Sequence, residues 1–161
     1  GIGEAAADAW QAHVTVDPEA VPLLRRLRGR FTLVLVTNFD HPPHVRRVLE
    51  GHGLADAFDA IIVSAEVGVK KPDPRIFHLA LERTGLRAHQ VAHVGDADDD
   101  VQGAIRAGIR PILIRRNGPH EPDPPFDFHA GPVAPFRSAS RGPEGVSIVS
   151  ALVELPEILG I

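Results

Sequence analysis

Val91-Ala92-His93-Val94-Gly95-Asp96-Ala97-Asp98-Asp99-Asp100-Val101-Gln102-Gly103-Ala104 is the stretch on which the reading of the whole chain turns. A short apolar run of strand length breaks at Gly95, and four carboxylates follow within five positions. That charge density is costly unless a cation or an ammonium stands among the acids. Val101, Ala104 and Ile105 then recur at helical spacing until Gly108 stops the pattern, so the acids lie on a turn from strand to helix. In an open α/β sheet that turn, at the carboxyl end of a strand, is where ligands bind. Aspartates ahead of a helix also serve as plain caps at its positive end. A calcium loop is excluded, because Val101 stands where the loop needs glycine and Ala107 where it needs a bidentate glutamate.

Working outward, the flanking segments alternate between strand and helix. Asp17-Pro18-Glu19 opens a helix with Val21, Leu24 and Leu27 as its apolar stripe. Phe31 to Val36, apolar except for Thr32, suits a strand buried on both faces and ends in Thr37-Asn38. His41-Pro42-Pro43 starts the next helix, with Val45, Val48 and Leu49 inward, and Phe58 to Ser64 holds a second strand. The loop Gly68-Val69-Lys70-Lys71-Pro72-Asp73-Pro74 leads into a helix, capped by Asp73 and closed by Gly85, whose buried face includes Ile76, Phe77, Ala80 and Leu81. Pro72 confines Lys71 to extended backbone. Pro111 to Ile114 reads as a fourth strand and Val146 to Val149 as a last short one, with Ser150 capping a brief helix. This alternation predicts right-handed βαβ crossovers and a parallel sheet.

Two segments stand apart. Gly1 to His13, alanine-rich around a lone Trp10, reads as the end of a helix whose partners are not in this chain. Residues 117–145 hold seven prolines and four glycines without periodicity, and are expected to form a flexible loop tacked down by Phe126, Phe128 and Phe136. The 161 residues suffice for one core, their net charge of −4 attracts neither nucleic acid nor an anionic membrane, and no apolar run reaches membrane-spanning length. The expected partner is a small molecule. The absence of cysteine and of a signal-peptide pattern fits a cytoplasmic protein. The chain has no methionine, even at position 1, so its natural start is expected upstream. Fifteen of the seventeen basic residues are arginine, and the two lysines are the neighbours Lys70 and Lys71, a pattern that singles out a place needing a compact ammonium.

Three groups therefore fall at or just after the ends of successive strands: Thr37 with Asn38, then Lys71, then Asp96 with Asp100. In a parallel sheet those ends share one edge. A hydroxyl, backbone N–H groups and an ammonium suit a phosphate, and Mg²⁺ held by one or two carboxylates plus the substrate phosphate completes the neutralisation.

The run Leu33-Val34-Leu35-Val36-Thr37-Asn38, the loop Lys71-Pro72-Asp73-Pro74 with Ile76-Phe77, and Val94-Gly95-Asp96 with Asp100 and Gly103-Ala104 resemble the second, third and fourth motifs of the haloacid dehalogenase superfamily, in order and spacing. The likeness is greatest to the subfamily IA phosphatases and dehalogenases, whose helical cap precedes the second motif. It implies a Rossmann-like α/β core over residues 17–161, with helices on both faces of a parallel sheet, and a cap remnant over residues 1–16. It also implies that Thr37 bonds the transferring phosphoryl group, that Asn38 helps orient the substrate, that Lys71 stabilises the charge of transfer, that Asp96 binds Mg²⁺, and that Asp100 holds Lys71 or a metal-bound water. Lys70, Asp98 and Asp99 fall off the pattern and read as solvated surface.

The family's first motif, D-x-D after an apolar strand, has no counterpart. Asp8 and Asp17 are the only aspartates ahead of Thr37, and neither follows a strand. The resemblance thus implies a core missing its central first strand, the aspartate nucleophile and the general acid/base. A fragment of a Mg²⁺-dependent phosphomonoester phosphatase, inactive by itself, is the leading expectation, with a small phosphorylated metabolite as substrate. The alternatives are a metal-free haloacid dehalogenase, disfavoured by Asp96, and a non-catalytic phosphate- or metal-binding partner protein. A phosphate-receiver domain would need the acid pair first and the lysine last. Substrate identity and oligomeric state are not written in the chain.

Overall fold

A computed structural model describes residues 15–116 and 145–161. The expected cap remnant over 1–16 and loop over 117–145 lie outside the described residues, save for their last residues. The elements are α1 (Ala20–Leu27), β1 (Val34–Thr37), α2 (Pro42–Gly51), β2 (Ala60–Val63), α3 (Ser64–Val67), α4 (Arg75–Thr84), β3 (Ala92–Gly95), α5 (Asp98–Arg106), β4 (Arg110–Ile114), β5 (Ser147–Val149) and α6 (Leu155–Leu159), with short 3₁₀ turns before β3 and α6.

All pairings between these strands are parallel, but they form two sheets. β1 pairs with β2, Thr37 opposite Val63, and β3, β4 and β5 form a second sheet in that order, Gly95 opposite Leu113. Among the described residues no ladder joins the two, so β1 and β3 each keep an unpaired edge. The interrupted sheet agrees with the expectation of a parallel α/β core lacking a strand. Helices lie on both faces, as the alternation predicts. Leu23 and Leu27 of α1 and Leu155 of α6 pack on Ile112, Ile114 and Val149. On the other face Ile76 and Phe77 of α4 meet Ile62, Ala104 and Ile109, a cluster that spans both sheets.

Local chemistry explains the boundaries. Asp17 Oδ1 accepts the Glu19 N–H at 2.8 Å, Asp73 Oδ1 accepts the Arg75 N–H at 2.9 Å, and Gly85 ends α4 at φ 69°. Asp17 also receives Arg116.

Several details differ from the sequence expectation. The first strand starts at Val34, and its residues are half-buried because β1 is an edge. Phe31 lies before it, 38% exposed, in an isolated bridge with Arg28. In α2 the most buried side chain is His44, stacked on Phe39 with centroids 5.5 Å apart, rather than Val45 or Val48. Ile105 faces outward at 43% exposure. Ser150 does not cap the last helix through its hydroxyl. Glu154 Oε1 instead accepts the N–H groups of Ser150 and Ala151, at 2.9 Å each, and the Ser150 hydroxyl at 2.6 Å.

Candidate active site

The loop after β1, the loop before α4 and the first turn of α5 meet around the side chain of Lys71. Its backbone is held first. Asn38 Oδ1 accepts the Lys71 N–H at 2.8 Å, and Asn38 Nδ2 donates to the Lys71 carbonyl at 3.0 Å, so one carboxamide satisfies both polar groups of that residue. The Lys71–Pro72 peptide is cis. Ser64, at the start of α3, steadies the other partner: its Oγ accepts the Phe39 N–H at 2.9 Å and donates to the Phe39 carbonyl at 3.3 Å.

The ammonium is held second. Lys71 Nζ donates to Asp100 Oδ1 at 2.6 Å and to the Val36 carbonyl of β1 at 3.3 Å. Asp100 is 4% exposed and its two oxygens are both engaged, since Oδ2 accepts the Ala97 N–H at 3.2 Å and Oδ1 also meets His93 Nε2 at 2.8 Å. Burial by itself raises the Asp100 pKa. The His93 hydrogen bond and the Lys71 charge outweigh that and hold the carboxyl down at about 2. Asp100 is therefore ionised at neutral pH and can only accept.

Two glycines admit this arrangement. A Cβ on Gly95 would lie 2.2 Å from Asp100 Cγ, and one on Gly103 would lie 2.5 Å from Phe77 Cε2. The G-D-x-x-x-D spacing thus has a steric reason: the strand must end in a residue without a side chain for the buried carboxylate to fold back beneath it.

Of the predicted site residues, the structure joins Asn38, Lys71 and Asp100 in one hydrogen-bonded chain. Thr37 ends β1 next to Val36, which takes the Lys71 ammonium. Asp96 follows β3 at the same carboxyl-end edge and is exposed; among the described residues no hydrogen bond or ion pair engages it. The Asn38 amide is committed to the Lys71 backbone. His93 and Ser64 were not singled out from the sequence; the signal for His93 was a polar residue inside a half-buried apolar strand, where a partner is expected.

The donor set bears on Mg²⁺ as follows. Among the described residues no three His, Cys, Asp or Glu side chains cluster as a metal site. Asp96 offers one uncommitted carboxylate, and Asp100 spends its oxygens on Lys71, His93 and Ala97. One carboxylate is within the pattern for Mg²⁺, which keeps several waters and takes its remaining ligands from substrate phosphate. The residues fit as a partial site.

With this geometry in place, comparison with known proteins identifies the class. The family model for haloacid dehalogenase-like hydrolases matches residues 4–108. The chain belongs to the haloacid dehalogenase-like hydrolases. Among curated relatives it is 40% identical over 117 residues to the phosphoserine phosphatase of Thermus thermophilus, covering 71% of this chain and 47% of that one. It is 38% identical over 125 residues to the pyrimidine 5'-nucleotidase YjjG of Escherichia coli, covering 76% and 55%. Among solved structures, a phosphatase of this superfamily from Thermococcus onnurineus aligns at TM-score 0.72 and 30% identity, over 95% of this chain and 62% of that one. The 2-haloacid dehalogenase from Pseudomonas syringae aligns at TM-score 0.69 and 33% identity, over 91% and 54%. The chain spans about half the length of the curated relatives it matches. No helix among the described residues is long and apolar enough to cross a membrane.

Proposed function

We propose that these residues form the phosphate-gripping part of a Mg²⁺-dependent phosphomonoester hydrolase that works through an aspartyl-phosphate. The observation that carries the reading is the part-buried Lys71–Asp100 pair, fixed at both ends of the lysine and set at the rim where β1 and β3 end. A lysine so held is pre-organised to meet charge that develops during transfer, at little cost in reorganisation. Thr37 donates its hydroxyl to a phosphoryl oxygen, Asn38 fixes the loop that carries Lys71, and Asp100 keeps the ammonium charged and in place. Asp96 is the residue that would hold Mg²⁺, which supplies neutralisation of the phosphate charge when bound.

The nucleophilic aspartate and the general acid/base belong, on this reading, to a strand that enters between β1 and β3 and is not among these 161 residues. The two unpaired edges support that placement. Without that carboxylate the chain by itself forms no covalent intermediate. The substrate is a small phosphorylated metabolite, in keeping with the printed names of the relatives, and the cysteine-free chain is assigned to the cytoplasm.

A dehalogenase reading has one observation in its favour, the likeness to the Pseudomonas syringae enzyme. The two diverge at Asp96, for which a metal-free reaction gives no role. The test is hydrolysis of a generic phosphomonoester and of a 2-haloacid by the complete gene product, with Mg²⁺ and with chelator. The account expects phosphate release that stops on chelation and on Asp96→Asn. Metal-independent halide release would overturn it.

A further inference from the structure

Asp100 does not hold Lys71 alone. His93, on β3, meets the same carboxylate oxygen as Lys71 Nζ, at 2.8 Å against 2.6 Å. Asp100 Oδ1 also accepts from Lys71 Nζ, so His93 Nε2 is the donor in this contact. The ring is itself fixed. It stands edge-on to Phe77, with centroids 4.8 Å apart at 79°, and Phe77 is 1% exposed against the Cα of Gly103. A long flexible lysine stem has many rotamers, and its tip is placed only as well as the group it is bonded to.

We infer that His93 is a positioning residue for Lys71, acting through Asp100: by fixing Oδ1 from β3 it fixes the ammonium that β1 and the loop before α4 present. The inference rests on the phosphate-binding reading of Lys71 only for its consequence in ligand affinity; the hydrogen-bond relay stands or falls separately. In metal sites, partners that orient the ligands change affinity or activity about ten- to a hundredfold when mutated, and the lower end of that range is the scale taken here for a held ammonium.

The sequence makes the test unusually direct, because Lys70 and Lys71 are the only lysines and Lys70 is exposed. Lysine-selective ¹³C/¹⁵N labelling of the 161-residue chain therefore yields one site signal and one internal reference. In the unmutated chain the Lys71 ammonium protons are expected to exchange slowly enough to be seen, and ring ¹⁵N shifts are expected to report protonated Nε2 on His93. His93→Leu keeps bulk against Phe77 without a donor; the Lys71 ammonium signal should be lost while Lys70 is unchanged. His93→Gln keeps a donor and should restore it. Affinity for inorganic phosphate, read at Lys71 Cε, should fall about tenfold in H93L and recover in H93Q.

An unchanged Lys71 signal in folded H93L overturns the inference, as does equal loss in H93Q, which would show that a donor at this position does not suffice to hold the ammonium. A wild-type ring protonated on Nδ1 only overturns it without any variant. If phosphate does not move Lys71 in the unmutated chain, the phosphate reading fails, and the ammonium signals still decide on His93.

Discussion

The two sheets differ in how they are held. In the three-stranded sheet β4 is flanked on both sides, and four of its five residues are buried between α1 and α6 on one face and α5 on the other. In the two-stranded sheet β1 is half-buried throughout, and Leu35, on the face away from Val34 and Val36, belongs to neither core cluster. Backbone ladders bind the strands of each sheet, whereas what crosses between them is side-chain packing, that of Phe77 and Ile76 included, and the side chain of Lys71, bonded to Val36 on one side and to Asp100 on the other. The site therefore lies where main-chain hydrogen bonding is interrupted, and its polar residues also tie the two halves together.

Removing Asp100 should break that tie most severely. Asp100→Ala leaves the ammonium of Lys71, on a side chain 13% exposed, without its counter-ion, an expected loss of about 3 kcal/mol in urea unfolding. Hydrogen exchange should quicken more in β1 and β2 than in β4. Equal acceleration in both sheets would show that the clasp does not join them.

Gly95→Ala attacks the same point sterically. The new methyl would overlap Asp100 Cγ, so the carboxylate must leave its seat, at an expected cost of about 2 kcal/mol and with loss of the Lys71 ammonium signal. A variant as stable as the parent would refute the close packing of β3 against α5.

Acid should weaken the clasp in a defined window. The folded-state pKa of Asp100 is lowered to about 2 from an ordinary 3.8, so its contribution is present above pH ~4 and is lost as pH falls toward 2. The linked stability is about 2 kcal/mol, and Asp100→Asn should flatten that part of the pH–stability curve. An unchanged slope in D100N would sink the assignment.

Asn38→Ala should have the smallest effect. Its two hydrogen bonds to the Lys71 backbone are exposed, so about 1 kcal/mol is expected, together with disorder of the loop before α4 detectable as faster exchange of the Lys71 amide.

Much of this was legible in the residues. Proline at the starts of helices, glycines at their ends and β-branched runs in the strands are local signals, and the structure follows them. The spacing of Thr37, Lys71 and Asp96 drew attention to three strand ends, and the side chain of Lys71 links Val36 of β1 to Asp100 after β3. What the residues did not disclose depends on long-range contact. His93 inside an apolar strand gives no sign of its partner seven residues on. Asn38 reads as a ligand group, yet both halves of its amide are occupied by a backbone 33 residues away. The four-residue α3 is too short to show a period, and the outward turn of Ile105 depends on which side of α5 the sheet covers.

The most direct test of the account is the rate of phosphomonoester hydrolysis by the complete gene product with Lys71 replaced by Met, which keeps the stem and removes the charge. The account predicts a Mg²⁺-dependent parent and a fall in kcat of about a hundredfold or more in K71M, with folding retained. A folded K71M variant with parental kcat would contradict it.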